Sequence, residues 1–324
     1  MTVAEITPEM AEALRRLDGV RISAPDGRIS ARLSLGTRMY FADGGKTEGR
    51  RRALCALRAL TEDLEGVRTM QVPDGGLVPY DPAVLSRLQE APPPETDDLE
   101  LALWAEDRPG RAAGDLAFPS ATLLAGADFF EGVTWYSTLA LDIGLAALES
   151  AGVEATLART LRAAEILKPD HGVVGMTLRF NPAAYSDTDG VAAFPALKRF
   201  PGLHDGRTGG FVAAVAQPGV QPGLITVNWL TVVGSSLLGR LGEGALDALP
   251  PDCTVHPYDG GVVIRAGALP QTGDRNLNLP LPAYEAVGGV LSPVRFKDYR
   301  VPLFPVPPPL DPMEETLAWA GRFD

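Results

Sequence analysis

The sequence predicts an α+β fold in which mostly antiparallel sheets are flanked by helices. Segments with strand-like alternation follow one another and are crossed by few helices, which does not fit the strict alternation of a parallel sheet. The 29 prolines and 35 glycines among 324 residues indicate short elements joined by many turns. Hydrophobic residues make up 45% of the chain, enough for one large core or two smaller ones, so a two-lobed arrangement stays open.

Residues 1–92 are predicted to form an N-terminal α+β segment that packs on the body of the protein. Thr7 suits a helix N-cap and Pro8 the first helical position. A β-hairpin follows, because two alternating stretches flank the turn residues of Ala24-Pro-Asp-Gly. The leucine spacing predicts a second helix over 48–64, and Asp81-Pro82 opens a third that ends near Glu90.

The clearest linker is APPPETDD, residues 91–98, so a second domain is predicted over 99–324. Residues 88–107 contain seven acids and no lysine or arginine, which predicts a local negative surface.

The second domain is predicted to be rich in strands. We expect strands in LELALWAED, SATLLAGA, VTWYSTLALDIG, HGVVGMTLRF, TVHPYD and GGVVIRAG, and helices over 153–168 and 281–291. The segment 181–210 is predicted to be a long, turn-rich loop. The last residues, ETLAWAGRFD, are expected to dock as a helical turn through Trp319 and Phe323.

An uncharged apolar stretch, GLITVNWLTVVGSSLLG, spans 223–239 and nearly reaches the length of a membrane span. Asn228 at its centre and the β-branched residues before Gly234 favour an interior strand over 224–233 instead. The following residues, 235–241, are predicted to be a short helix.

The formal charge of −12 and the pI of about 4.8 exclude a nucleic-acid-binding protein or one that binds anionic membranes. The first ten residues lack the apolar core of a signal peptide, and Cys55 and Cys253 fit no metal or redox spacing. We expect Cys55 to be a buried thiol on the apolar side of its helix. These features together predict a bacterial cytoplasmic protein.

The residues that could carry chemistry are few. There are three histidines, and no nucleotide-binding loop, nucleophile elbow or zinc motif is present. A hydrolase could use Asp170 and His171, or Asp187 with Asp189 in YSDTDG. No metal or cofactor is predicted, and the sparse inventory favours a protein that binds a partner and catalyses nothing.

The C-terminal part, roughly 100–324, resembles the type VI secretion immunity family, the TsiV-like group of immunity proteins for VRR-Nuc-type nuclease effectors. The resemblance lies in an aromatic-PGL turn, an isoleucine–x–W-L segment before a short leucine helix, a glycine-rich hairpin and a terminal W-x-x-R-F. The matching segments are RFPGLHDG, LITVNWLTVVGSSLLGRLGE, VHPYDGGVVIRAGALPQTGD, AYEAVGGVLSPVRF and TLAWAGRFD. The resemblance implies a cytoplasmic antitoxin that neutralises a cognate effector by covering its active or DNA-binding site.

A basic nuclease face would be met best by acidic side chains near an aromatic anchor. The predicted partner-binding residues lie in two segments and are Glu95, Asp97, Asp98, Glu100, Tyr185, Asp187, Asp189 and His204, with Glu106 and Asp107 at the end of the first segment. Two alternatives stay open. Both segments could be ordinary solvated loops, and the chain could be a secretion adaptor that escorts an effector without neutralising it.

Overall fold

The computed structural model describes residues 6–73, 75–106, 116–126, 133–181 and 186–324. Its helices are α1 (Pro8–Asp18), α2 (Thr47–Thr61), α3 (Pro82–Glu90), α4 (Ala146–Ala151), α5 (Val153–Leu167), α6 (Asp187–Arg199), α7 (Gly209–Val215), α8 (Ser235–Leu241), α9 (Pro282–Leu291) and α10 (Pro312–Ala320). Its strands are β1 (Arg21–Ser23), β2 (Ile29–Phe41), β3 (Thr69–Gln71), β4 (Leu77–Pro79), β5 (Leu99–Trp104), β6 (Ser120–Ala125), β7 (Ser137–Ile143), β8 (His171–Phe180), β9 (His204–Asp205), β10 (Leu230–Gly234), β11 (Cys253–Tyr258) and β12 (Gly261–Ala266).

The twelve strands form one continuous sheet, which confirms the predicted α+β class. The order is β11-β12-β10-β8-β2-β7-β6-β5-β3-β4, with β1 beside the start of β2 and β9 beside β8. All described pairings are antiparallel except that of β8 with β9. Strands from before residue 92 include β2 in the middle of this sheet, so the linker at 91–98 does not divide the sheet into two lobes.

The longest strand, β2, defines the two faces of the sheet. Thr37 and Met39 point to one face, where α2 packs on β6, β7 and α5. Arg38 and Tyr40 point to the other, which we call the Arg38 face. Arg38 Nε donates to the Gly206 carbonyl at 2.7 Å, and the Tyr40 ring lies 5.1 Å from that of Phe211. The C-terminal part of the chain therefore covers the Arg38 face over the central strands.

Local signals placed the first helices correctly. Thr7 accepts a hydrogen bond from the Met10 N–H at the start of α1, and Asp81 accepts one from Ala83 at the start of α3. The predicted hairpin forms from β1 and β2. The predicted docking of the C-terminus is also confirmed, since Trp319 of α10 and Phe323 are buried.

The prediction for the apolar stretch is correct only in part. β10 begins at Leu230, whereas residues 225–229 form no ladder, although they are buried. The buried Asn228 side chain is hydrogen-bonded at both ends. Its Oδ1 accepts from the Trp229 N–H at 2.8 Å, and its Nδ2 donates to the Gly202 carbonyl. None of the described helices has the length and hydropathy needed to cross a bilayer.

Two other predictions are wrong. The segment 181–210 is no long loop, because α6 begins at Asp187 and Ser186 and Asp189 form a capping box there. Cys55 is exposed on α2, while Cys253 is the buried thiol; both are free. The leucine stripe of α2 faces the core, and Cys55 falls just outside it.

Truncation of Trp229 tests the buried irregular segment before β10. The Trp229 side chain is fully buried, so Trp229→Ala is expected to lower the free energy of unfolding by about 3–5 kcal/mol. Leu277→Ala removes a side chain that is 65% exposed and should change stability by less than about 0.5 kcal/mol. Urea unfolding of both variants checks this. A Trp229→Ala protein as stable as the wild type would contradict the assigned packing.

Candidate partner-binding cleft

A cleft of about 310 Å³ opens on the Arg38 face, at the border of the part that the C-terminal segments cover. One wall comes from the start of α7 and the other from β5, β6 and the residues before β7. The described lining residues are Asp98, Leu99, Glu100, Leu124, Ala125, Gly126, Trp135, Tyr136, Thr138, Thr208, Gly209, Val212 and Ala213.

The strand registers explain how the floor of the cleft is assembled. Glu100 pairs with Leu124, Leu124 with Thr138, and Thr138 with Tyr40, so these four side chains form one row on the Arg38 face. His171 continues the row on β8. Five strands thus contribute side chains to one level of the sheet.

The apolar part of the cleft consists mainly of Leu124, Trp135 and Val212. Leu124 is 42% exposed although it lies in a strand near the middle of the sheet. Trp135 packs over Gly126, where a Cβ atom would lie 2.7 Å from the indole Nε1 and 3.8 Å from Asp98 Oδ1. Only glycine leaves room for this approach, and the indole and the carboxylate flank it together.

The charged part of the cleft is acidic. Asp98 and Glu100 are both exposed at its rim, and none of the described lining residues is basic. Arg207, next to the lining residue Thr208, is bound to Asp205, with the guanidinium Nη2 2.7 Å from the carboxylate. Glu100 forms no hydrogen bond or ion pair within the described part of the chain. Among the described residues the cleft therefore presents a carboxylate without a cation.

An aromatic cluster forms the back of the cleft. Tyr136 is 3% exposed and its ring stacks at 6.0 Å on Phe211 of α7. Burial raises the pKa of the Tyr136 phenol, so the hydroxyl stays protonated at neutral pH. With the described residues this hydroxyl makes no hydrogen bond.

The acidic segment that leads into β5 is held in place by Arg50 of α2. The buried Arg50 guanidinium donates to the carbonyls of Gly44 and Pro93, both at 3.0 Å, and also to those of Pro94 and Asp97. Glu95 accepts hydrogen bonds from the N–H and hydroxyl of Thr47 at the start of α2, which lower its pKa. Arg50 therefore holds residues 93–97 against the start of α2.

The structure separates the residues that the sequence grouped as a binding surface. Asp98 and Glu100 line the cleft, and Asp97 is exposed just before them. Glu106 is buried against Arg179 at 3.2 Å, and Asp107 lies outside the described residues, as does Tyr185. The role of the exposed acids in binding stays a prediction.

The second predicted segment does not form a continuous surface. Asp187 is exposed at the start of α6, but Asp189 is fully buried and paired with Arg28 at 3.1 Å. His204 is also fully buried, beside Trp319, and its ring nitrogens have no hydrogen-bond partner among the described residues. In this structure neither Asp189 nor His204 is accessible to a partner.

The two candidate hydrolase pairs lie far from each other. Asp189 is paired with Arg28, just before the start of β2, whereas His171 is paired with Tyr40, near the other end of the same strand. At about 3.3 Å per residue the two positions are roughly 30 Å apart. His171 stacks on Tyr40 at 4.6 Å, its ring nitrogens have no hydrogen-bond partner among the described residues, and burial lowers its pKa to about 3. Asp170 accepts a hydrogen bond from the Ala42 N–H at 2.9 Å.

Sequence reasoning missed Arg50, Leu124, Trp135 and the α7 wall of the cleft. For Leu124 the sequence did contain a signal. It lies on the same face of β6 as Thr122, so an apolar side chain appears on the otherwise polar side of the strand. For Arg50 no local signal existed, because its acceptors in the acidic segment lie more than 40 residues further along the chain.

The comparison with protein-family models gives a match to TsiV, described as type VI immunity for VRR-NUC, over residues 95–323. The chain belongs to the TsiV family. The sequence resemblance is thereby confirmed, and with it the assignment as a type VI immunity protein.

The matched region begins at Glu95, at the segment that Arg50 fixes, and it contains every described lining residue of the cleft. Among solved structures, the chain is similar to the Pseudomonas aeruginosa T6SS protein PA0821. The TM-score is 0.77 at 21% identity, over 98% of this chain and 91% of that one, which shows a shared fold. A comparison with curated proteins gives no match.

The buried histidines predict that this TsiV-family protein loses stability in acid. Burial lowers the pKa of His171 to about 3 from 6.5, and the pKa of His204 also falls, so the unfolded chain binds more protons than the folded one across that window. Asp170 acts in the opposite sense, because burial raises its pKa to about 6 from 3.8. The two histidines change the difference in bound protons by more than the single carboxyl does. The free energy of unfolding should therefore rise from pH 4 to 6.5.

Urea unfolding at several pH values measures this dependence. Asp170→Asn removes the opposing contribution and should make the rise steeper, whereas the exposed control Asp187→Asn should keep the wild-type slope. Wild-type stability that is flat or falling between pH 4 and 6.5 would contradict the assigned burial of the two histidines.

Proposed function

We propose that this protein neutralises a VRR-NUC-type nuclease by binding it directly and covering its DNA-binding or active site, without catalysing a reaction itself. The observation that carries the proposal is the cleft on the Arg38 face, where Glu100 has no cationic partner among the described residues and the apolar side chain of Leu124 is exposed. Membership of an immunity family supplies the class of partner.

Electrostatics supports a basic partner surface. A nuclease binds the DNA backbone with lysine and arginine, and a partner of net charge −12 is attracted to the same groove. The same charge disfavours binding of this protein to DNA. Long-range attraction of this kind mainly raises the association rate, while the buried centre of an interface sets its lifetime.

The cleft has a suitable position for the centre of such an interface. A stable complex buries about 800 Å² on each partner. Beside the cleft, the Arg38 face of β4, β3 and β6 exposes Leu77 and leaves Gln71 and Thr122 partly exposed. The acidic edge at Asp97 and Asp98 borders the same region, so an apolar centre and an acidic rim lie side by side.

The proposed site of action is the cytoplasm, because DNA-cleaving activity is harmful where the chromosome lies. An immunity protein of this kind needs only to reach the nuclease before the nuclease reaches DNA. Rapid, charge-steered association serves that requirement directly.

Charge reversal at the acidic edge tests the electrostatic part of the proposal. Asp97→Lys, Asp98→Lys and Glu100→Lys together should slow association with the cognate nuclease by about one to two decades at low salt, and the difference should shrink at high salt. Stopped-flow or surface-binding kinetics would measure it. A control with the same change in net charge replaces Glu165, Glu243 and Asp252, exposed acids outside the cleft lining, by lysine.

Three outcomes are distinct. A selective effect of the cleft triple supports the proposal, and equal slowing by both triples shows that only net charge matters. If the wild-type protein fails to suppress DNA cleavage by the nuclease at any ratio, direct neutralisation is wrong. Asp187 stays a separate candidate, and its own reversal to lysine reports on a second contact some distance from the cleft.

A further inference from the structure

We infer that the cleft is a receptor for one arginine side chain of the partner nuclease, which enters between Trp135 and α7 and pairs with Glu100. This inference rests on the proposed function and adds the chemistry of the contact. It starts from the shape of the cleft, whose volume of about 310 Å³ lies at the small end for ligand sites. A single long side chain fits such a space better than an extended ligand does.

The walls of the cleft match the stem and head of a long cationic side chain. Leu124 and Val212 offer apolar surface for the methylene groups, and the Trp135 indole offers a flat face for a cation. Glu100 lies beside Leu124 in the strand register and has no intramolecular partner within the described residues. One carboxylate, one indole and an apolar wall therefore surround the same space.

Tyr136 adds a possible hydrogen-bond acceptor to the cleft. It is one of the described lining residues, and its hydroxyl makes no hydrogen bond with the described residues. A guanidinium N–H donated to this oxygen would leave further donors for Glu100.

Arginine fits these features better than lysine. Its planar guanidinium stacks on an aromatic face, is more weakly hydrated than an ammonium group, and presents donors in a fixed fork. A lysine would bring a compact, strongly hydrated charge into a space with mostly apolar walls. Arginine is also a residue that nucleases place against DNA phosphates, so its capture would remove a DNA contact.

The first experiment measures the dissociation constant of the complex with the cognate nuclease for three variants. Glu100→Gln is isosteric and exposed, so it should fold normally and weaken binding about tenfold to a hundredfold, the range for losing a charge-assisted hydrogen bond. Trp135→Leu should weaken binding to a similar extent. Glu165→Gln, the same change on α5 on the opposite face of the sheet, should stay within twofold of the wild type.

The second experiment needs no nuclease. Nα-acetyl-arginine methylamide at millimolar concentration should shift the indole N–H resonance of Trp135, assigned from its loss in Trp135→Leu. The lysine analogue should shift it less, and the citrulline analogue, which is neutral and of the same shape, should leave it unchanged. Glu100→Gln should abolish the arginine response.

The possible results separate this inference from the proposed function. If the wild-type protein neutralises the nuclease while Glu100→Gln and Trp135→Leu bind as tightly as wild type, the arginine receptor is overturned and the proposed function stands. If Leu124→Asp abolishes binding while Glu100→Gln does not weaken it, the occupant is apolar and the inference is also overturned. If citrulline and arginine analogues act alike, the charge plays no part and the inference fails. Absence of any complex with the wild-type protein overturns the proposed function itself.

Discussion

The buried guanidinium of Arg38 is the interaction on which the architecture depends. It lies on the central strand, is 2% exposed, and donates from Nη2 to both carboxylate oxygens of Asp142 at 3.0 Å. Its Nε donates to the Gly206 carbonyl, and its Nη1 to the carbonyls of Thr37 and Leu141. A buried charge is tolerated only when it is paired and hydrogen-bonded, and here all of its acceptors are supplied by the fold. One side chain thereby joins β2, β7 and the C-terminal part of the chain that covers the Arg38 face.

This anchor also determines where the cleft lies. Gly206 has no space for a side chain, because a Cβ there would lie 1.9 Å from the Leu178 carbonyl oxygen. Thr208 and Gly209, which follow at once, form the wall of the cleft at the start of α7. The C-terminal part of the chain is therefore fixed over the middle of the sheet, while Leu124 of β6 and Glu100 of β5 stay exposed on the same face. The proposed binding function makes use of the exposed Leu124 and of Glu100, which has no partner among the described residues.

The parts of the fold that the sequence could predict depend on local chemistry. Thr7-Pro8 and Asp81-Pro82 mark helix starts whose hydrogen bonds lie within a few residues. The failures involve contacts that are distant along the chain. Asp189 looked like a loop acid, but its partner Arg28 is 161 residues away. His204 is buried because Trp319 packs beside it, which nothing near His204 reveals. The apolar, β-branched composition of 224–233 could not distinguish a strand from a buried irregular segment, because both consist of apolar residues.

The candidate site shows the same division. The acidic residues Asp98 and Glu100 were identified from composition, since charge is visible in the sequence. Their setting was not, because the cleft is made by strand registers that bring Glu100, Leu124 and Thr138 into one row. The support of the acidic segment was not visible either, because Arg50 holds it through backbone carbonyls that any sequence would provide.

Hydrogen–deuterium exchange of this protein with and without its cognate nuclease tests the central claim most directly. The claim is that the cleft on the Arg38 face is the centre of the contact. The complex should slow exchange in peptides covering residues 95–100, 120–126, 133–138 and 208–213, while peptides of α5 on the opposite face should exchange as in the free protein. Protection confined to α5 and α2, with no change around the cleft, would contradict the account.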